Sequence, residues 1–204
     1  MDSQKITLVS VACTKVMETL EALKECQKHF DFYETLLLTH IKIEVGGIKV
    51  IKIPKLDYFG YNKFVAMELR DYIDTEYCLL VQNDGYILNP EMWTDEFLNW
   101  DYIGAPWPSQ THFTKKGVEV RVGNGGFSFR SKKLLEAPSM LDLEFTDMGT
   151  GYPHEDGFLC NHYRHELEEY GVKFAPVEVA ARFSTELIVP ETTKSFGFHR
   201  YKPT

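Results

Sequence analysis

The chain reads Tyr77-Cys78-Leu79-Leu80-Val81-Gln82-Asn83-Asp84-Gly85, an apolar run that ends abruptly in two amides and a carboxylate. A short apolar run of this kind predicts a strand that is buried on both faces of a parallel sheet. Ligands of α/β proteins bind at the carboxyl ends of such strands. The stretch therefore predicts an α/β fold with Asp84 at the functional edge of its sheet, although Asp-Gly also favours a plain turn.

Strands and helices alternate on both sides of this run. The predicted elements are strand 6–12, helix 15–29 with Thr14 as N-cap, strands 35–39 and 48–53, helix 62–73 and strand 77–81. This β-α-β-β-α-β order predicts a largely parallel sheet. After residue 90 we expect helix 93–100, strands 101–104 and 126–130, a helix beginning at Ser131, helix 155–170 and strand 172–175.

Composition limits the class of protein. The 204 residues are 44% hydrophobic, which is enough for the core of one large domain. The formal net charge of -8 argues against nucleic acid as a partner, because phosphate backbones are bound by basic surfaces. An acidic protein that handles an anionic substrate is expected to use a divalent cation.

Several sequence features bear on where the protein works. No apolar run is long enough to span a membrane, and the first eight residues lack the pattern of a signal peptide. The four cysteines are scattered without metal-type spacing, which favours free thiols in a reducing, cytoplasmic compartment. The end at Tyr201-Lys202-Pro203-Thr204 shows no structural stop, which favours a longer parent protein.

Three further polar clusters follow the apolar run. They are Gly123-Asn124-Gly125-Gly126, His154-Glu155-Asp156-Gly157 and Phe196-Gly197-Phe198-His199. Each is too rich in glycine or in polar groups to be plain scaffold, so we expect one active site built from four loops. Ala12-Cys13-Thr14 stands where a dinucleotide-binding site has its glycines, and no P-loop is present, so nicotinamide enzymes and nucleotide triphosphatases are disfavoured.

The chain resembles nucleotide-sugar glycosyltransferases of the GT-A type over nearly its whole length. The segments Asp101-Tyr102-Ile103-Gly104-Ala105-Pro106-Trp107 and 123–131 resemble a group of small glycosyltransferase-like domains. A weaker similarity is to the N-terminal glycosyltransferase domain of multidomain enzymes encoded by algal viruses. The resemblance implies a single domain, 1–204, with a mixed, mostly parallel sheet flanked by helices. Residues 1–90 would form its nucleotide-binding half and residues 91–204 its acceptor and sugar half.

The resemblance also implies a metal site and a donor site. The acidic D-x-D motif of the family maps onto Gln82-Asn83-Asp84, with Gln82 in place of the first carboxylate. Asp84 and the C-terminal His199 are the expected ligands of Mn²⁺ or Mg²⁺, whose role is to neutralise the diphosphate of a UDP-sugar. The residues expected on the nucleotide side are Ala12, Cys13, Thr14, Asp57, Lys63, Asn83 and Asp84.

Catalysis and sugar binding are expected in the second half. Asp156, with Glu155 as second choice, is the candidate general base that takes the proton from an acceptor hydroxyl. Acidic residues are also favoured in a first helical turn without any catalytic reason. The glycines 125 and 126 let a ligand approach the backbone, or form a bulged hairpin. Asn124 offers a donor and an acceptor to a sugar, and Trp107 offers a stacking face or packs in the core.

The function predicted from these residues is metal-dependent transfer of a hexose-like sugar from a UDP-sugar to a glycan hydroxyl. Two other classes stay open. A carbohydrate-binding or nucleotide-sugar-binding domain without catalysis would need neither Asp84 nor His199. A metal-dependent hydrolase would use His162 and His165, which lie three apart in a predicted helix, but no zinc-hydrolase signature accompanies them.

Overall fold

The computed structural model describes residues 5–146, 154–188 and 194–200. The C-terminal residues 201–204, on which the expectation of a longer parent protein rests, lie outside this part of the chain.

A six-stranded sheet forms the centre of the fold, in the order β3-β2-β1-β4-β7-β6. Its strands are β1 Ile6–Val11, β2 Glu34–Thr39, β3 Lys49–Lys52, β4 Tyr77–Val81, β6 Tyr102–Ile103 and β7 Phe127–Ser131. β3, β2, β1 and β4 pair in parallel, whereas β7 runs antiparallel to both β4 and β6. The predicted mixed, mostly parallel α/β sheet is confirmed.

Both faces of the sheet are buried, which explains why β4 reads as a continuous apolar run. Leu8 and Leu79 face one core, which also contains Leu23 of the helix α1 Val16–Gln27. Val9 and Leu80 face a second core. That second core is completed by residues of the helical segment between β3 and β4, and by Leu135 from the helix α3 Lys132–Met140.

The helical segment between β3 and β4 is less regular than predicted. It begins earlier, as α2 Tyr58–Lys63, widens into a π-type turn at Phe64–Glu68 and ends as a 3-10 turn at Leu69–Tyr72. The prediction that Thr14 caps α1 is wrong. Lys15 occupies the cap position in the left-handed region (φ 48°), and no side chain accepts a hydrogen bond from the helix end.

Three predictions in the second half need correction. Instead of helix 93–100 there are two 3-10 turns, Pro90–Met92 and Asp95–Asn99. Helix 155–170 is broken into α4 Glu155–Gly157, a π-type turn Phe158–His162 and α5 Arg164–Glu169, because the amide of Tyr163 bonds back five residues to Phe158. Strand 172–175 is reduced to one bridge between Phe174 and Tyr102, and α6 Val177–Phe183 follows directly after Pro176.

A small three-stranded sheet was not predicted. It consists of β5 Gly85–Ile87, β8 Ser184–Thr185 and β9 Gly197–His199, in the order β5-β9-β8. These strands have two or three residues each, which is too short for a periodic pattern. The small sheet brings the C-terminal segment beside the end of β4.

Candidate functional site

Strand pairing brings three of the four sequence clusters together. β7 begins opposite the end of β4, with Phe127 paired to Val81, and the amide of Gln82 donates to the carbonyl of Gly126 over 2.9 Å. β9 runs antiparallel to β5, so that His199 lies opposite Gly85, the residue after Asp84. The glycine-rich loop and the C-terminal histidine therefore meet at the carboxyl end of β4.

His199 contacts two oxygen-bearing side chains from this end of β4. Its Nε2 lies 3.3 Å from Asp84 Oδ1 and 3.2 Å from Gln82 Oε1. The amide nitrogen of Gln82 donates to the hydroxyl of Tyr61 over 2.7 Å, which turns the Gln82 oxygen toward His199. Asp84 is part of a turn, which is closed by a 3.3 Å hydrogen bond from Gly85 N to Gln82 O. The turn expected from Asp-Gly is therefore present, and the role of Asp84 as a metal ligand stays a prediction.

A second carboxylate, Glu186, lies near the other nitrogen of the His199 ring. Its Oε1 is 3.3 Å from His199 Nδ1, and the residue is buried. Although burial alone would lower the pKa of His199, the carboxylates of Asp84 and Glu186 raise it to about 9. The contact with His199 in turn lowers the pKa of Asp84. The carboxylates near the two ring nitrogens thus favour the protonated form of His199.

The donor atoms on the Nε2 side of the ring fit a hard divalent cation. Ligand atoms held at about 2.1 Å around one small cation lie about 3 Å from each other. The separations of Gln82 Oε1 and Asp84 Oδ1 from His199 Nε2 match this spacing. Asp84 Oδ1 is also a buried atom without a hydrogen-bond partner among the described residues. Imidazole, carboxylate and amide oxygen together suit Mn²⁺ or Mg²⁺.

The side chains of the described residues alone do not complete the coordination shell of such a cation. Within residues 5–146, 154–188 and 194–200, no group of three or more His, Cys, Asp or Glu side chains is arranged to hold a metal. The third protein donor is the amide of Gln82, which carries no charge. Water molecules or the oxygens of a bound ligand would complete the coordination of such a cation.

The glycine-rich loop makes room for the side chains of the site. A Cβ at Gly126 would lie 2.2 Å from His199 Nε2, and one at Gly125 would lie 1.6 Å from Glu155 Oε1. A Cβ at Gly123 would meet the ring of Trp107 at 1.9 Å. Glycine at 125 and 126 is thus required by packing against the protein's own residues. The two residues nevertheless line the main cavity.

Trp107 and Asn124 support each other in this loop. The indole nitrogen of Trp107 donates to Asn124 Oδ1 over 2.9 Å, and Asn124 is held in the left-handed region at φ 53°. Trp107 is only 4% exposed and stacks on His112 with ring centroids 3.9 Å apart. Trp107 is packed in the core and, together with His112, also lines the main cavity, so its role as a sugar-stacking face stays a prediction.

The two neighbouring acidic residues of α4 differ in their surroundings. Glu155 is buried and receives a 2.8 Å hydrogen bond from Arg130, which is itself fully buried. Burial raises the pKa of Glu155 to about 7 in spite of the attraction of Arg130. Asp156 lines the cavity and accepts hydrogen bonds from the amides of Gly125 and Gly157. Both carboxylates line the main cavity, and Asp156 is the more exposed of the two.

The residues expected on the nucleotide side lie at the ends of β1 and α2. Asp57 caps α2 through a 2.7 Å bond from the amide of Gly60, and Cys13 Sγ accepts from the amide of Leu56. Lys63 stands at the end of α2, not at a helix start as predicted. The lining of the main cavity does not include Ala12, Cys13, Thr14, Asp57, Lys63, Asn83 or Asp84, although Asp84 contacts His199, which does line it.

The main cavity has a volume of about 670 Å³, within the range of small-molecule sites. Gln82, Asn124, Gly126, Asp156 and His199 line it together. Sequence reasoning missed several further lining residues, among them Tyr58, Tyr61, Asn62 and Glu186. Tyr58 bonds to His154 Nδ1 over 2.8 Å, and Asn62 accepts from the amide of Glu155, so α2 and α4 are joined across the cavity.

The positions of His162 and His165 do not support the hydrolase alternative. His162 lines the main cavity, whereas His165 lines a second cavity of about 380 Å³. The helix is interrupted at Tyr163 between them, and His165 pairs with Glu169 over 2.9 Å. The two rings therefore do not form a joint metal site.

Residues 48–199 match a family described as protein of unknown function (DUF5672). The chain belongs to this DUF5672 family. A search of curated proteins found no match. Among solved structures, the chain is similar to a glycosyltransferase involved in the glycosylation of the major capsid of PBCV-1. The two chains are 13% identical with a TM-score of 0.58, over 98% of this chain and 94% of that one.

A second similar structure is the bifunctional IspDF from Campylobacter jejuni, with 11% identity and a TM-score of 0.49. The match covers 84% of this chain and 48% of IspDF, so the chain spans about half the length of that protein. The glycosyltransferase likeness confirms the GT-A fold for this DUF5672 member. In the described ranges, no helix is both long and apolar enough to cross a membrane.

Proposed function

We propose that this protein is a metal-dependent glycosyltransferase, which moves a hexose-like sugar from a UDP-sugar to a glycan hydroxyl. One observation carries the proposal. Gln82 and His199 line a cavity that also holds the carboxylate Asp156, and Asp84, which does not line this cavity, lies 3.3 Å from His199 Nε2. Two of the candidate cation ligands and the candidate base thus line the same cavity, and the third candidate ligand contacts His199.

The incomplete ligand shell favours a diphosphate as the partner of the cation. Asp84 supplies one formal charge, and His199 and the amide of Gln82 supply none when they bind a metal. Mn²⁺ or Mg²⁺ would act here as a Lewis acid that neutralises the charge building on the departing nucleotide. The diphosphate oxygens would complete the shell, so cation and nucleotide are expected to bind together.

Asp156 fits the role of general base for an inverting transfer. The amides of Gly125 and Gly157 hold its carboxylate at the cavity wall, which restricts its rotation. A positioned carboxylate accepts the proton of the attacking hydroxyl as the new glycosidic bond forms. The buried ion pair of Glu155 and Arg130 lies beneath it and supports Gly125.

The two halves of the chain would then bind different parts of the substrates. We propose that residues 1–90 bind the nucleotide, with Ala12, Cys13, Thr14 and Asp57 near the base and ribose. Residues 91–204 would hold the sugar and the acceptor, and both halves act as one domain. All four cysteines are free, and three of them are buried, which supports a reducing, cytoplasmic location.

Thermal unfolding in the presence of a panel of nucleotide sugars, with and without Mn²⁺, tests the proposal. A ligand at 100 times its Kd stabilises the native state by about 2.7 kcal/mol. We expect UDP-sugars to raise the unfolding temperature only when Mn²⁺ is present. Stabilisation by free glycans without any metal requirement would instead indicate a carbohydrate-binding domain.

A further inference from the structure

Glu186 has an unusual environment for a carboxylate. Its side chain is 3% exposed, and Oε2 has no hydrogen-bond partner among the described residues. A buried carboxylate is unfavourable unless a charge or a hydrogen-bond donor compensates it. Among the described residues, two cationic groups lie close to it, His199 Nδ1 at 3.3 Å and Arg200 Nη1 at 3.5 Å, both from Oε1.

The register of the small sheet explains why Glu186 meets His199. β8 and β9 pair in parallel, with Thr185 opposite Phe198. Glu186 follows Thr185, and His199 follows Phe198, so the side chains of Glu186 and His199 lie next to each other. On the other side of β9, β5 places Asp84 near the same ring. The histidine is thus held between two carboxylates that approach different ring nitrogens.

The two ring nitrogens of a histidine are not equivalent as ligands. A metal binds the nitrogen that carries the lone pair, and the other nitrogen keeps its proton and commonly donates it to a carboxylate. Such a carboxylate fixes the tautomer and the orientation of the ring. In this protein Nε2 faces Asp84 and Gln82, whereas the buried Nδ1 lies 3.3 Å from Glu186 Oε1, an ion-pair distance without regular hydrogen-bond geometry.

We infer that Glu186 is a positioning residue for His199: it accepts the Nδ1 proton and thereby directs the Nε2 lone pair toward Asp84 and Gln82. The consequence for a bound cation rests on the proposed function. The orientation of the ring does not, because it follows from contacts within the protein. Arg200 contributes less to this arrangement, since its side chain is 58% exposed.

The first experiment measures Mn²⁺ affinity in the presence of UDP by electron paramagnetic resonance. Loss of a carboxylate that orients a ligating histidine weakens metal binding about 10- to 100-fold. We expect this loss in Glu186→Gln and a partial recovery in Glu186→Asp, which keeps the charge but is shorter. Glu96→Gln is the matched control, because Glu96 pairs with Arg182 at the surface over 2.7 Å. It should bind Mn²⁺ like the parent.

The second experiment follows the ring nitrogens of His199 by ¹⁵N NMR, with and without Mg²⁺ and UDP. In the parent, Nδ1 should stay protonated when the cation and nucleotide bind, and its proton signal should shift in Glu186→Gln. A folded Glu186→Gln protein with parental Mn²⁺ affinity and an unchanged Nδ1 signal overturns the inference. If the parent binds no cation but its Nδ1 proton responds to Glu186→Gln, the proposed function fails and the positioning of the ring stands.

Discussion

Substitution of Gly126 by alanine should disable the proposed metal site although it replaces none of the proposed metal ligands. The new Cβ would lie 2.2 Å from His199 Nε2, 2.3 Å from Cε1 and 2.5 Å from Cδ2. Non-bonded heavy atoms pack at about 3.5 Å or more, so the ring has to withdraw by about 1.3 Å. The nitrogen that faces Asp84 and Gln82 is the atom closest to the clash.

A displacement of this size is large compared with the tolerance of a metal site, about 0.2 Å in ligand distance. Misplacement of a functional group by about 1 Å can reduce the rate of an enzyme reaction on the order of 100-fold. We therefore expect Gly126→Ala to weaken UDP-dependent Mn²⁺ binding by that order. Overpacking should also lower the free energy of unfolding by about 1–3 kcal/mol.

Calorimetric titration of Mn²⁺ in the presence of UDP, together with urea unfolding, measures both effects. Gly46→Ala is the matched control, since a Cβ there meets no atom within 4 Å and should change neither quantity. A folded Gly126→Ala protein that binds Mn²⁺ as tightly as the parent would refute the argument, because His199 could then not be the ligand next to this loop.

Two further predictions concern the acidic residues of α4. Asp156→Asn should leave the affinity for a UDP-sugar nearly unchanged and reduce turnover on the order of 100-fold, because proton transfer needs the base and binding does not. Unchanged turnover would show that Asp156 is not the general base. The pKa of Glu155 is raised from 4.5 to about 7 in the folded protein, so its stabilising contribution is complete below about pH 4.5 and is lost as the pH rises through 7. Urea unfolding between pH 4.5 and 7 should show this loss in the parent, with a slope of at most about 1.4 kcal/mol per pH unit, and no such term in Glu155→Gln. Equal slopes in both proteins would contradict the raised pKa.

The sequence predicted the parts of the fold that have a strong local pattern. β4 ends at Val81 as expected, because an apolar run followed by amides marks both the strand and its end. Asp84 and His199 were predicted as one site, and the structure brings them within 3.3 Å of each other. Their roles as metal ligands stay predictions.

What the sequence did not reveal depends on tertiary register. Glu186 follows a strand of two residues, and its contact with His199 arises from pairing between short segments distant in the chain. Tyr61 was not recognised because the helix around it begins earlier than predicted, at Tyr58. Gly125 and Gly126 were assigned to substrate approach, since no local pattern shows that Glu155 and His199 fill the space of their missing side chains.

The central claim is that Asp84 and His199 bind a cation together with the diphosphate of a nucleotide. Titration of Mn²⁺ with and without UDP, in the parent and in Asp84→Asn, tests it most directly. The account predicts that UDP strengthens Mn²⁺ binding in the parent and that Asp84→Asn abolishes this effect. The Asp84→Asn protein should still fold, because Asp84 lies in a half-exposed turn outside the apolar core, although loss of the contact with His199 lowers its stability. An Asp84→Asn protein that binds Mn²⁺ and UDP as tightly as the parent would contradict the account.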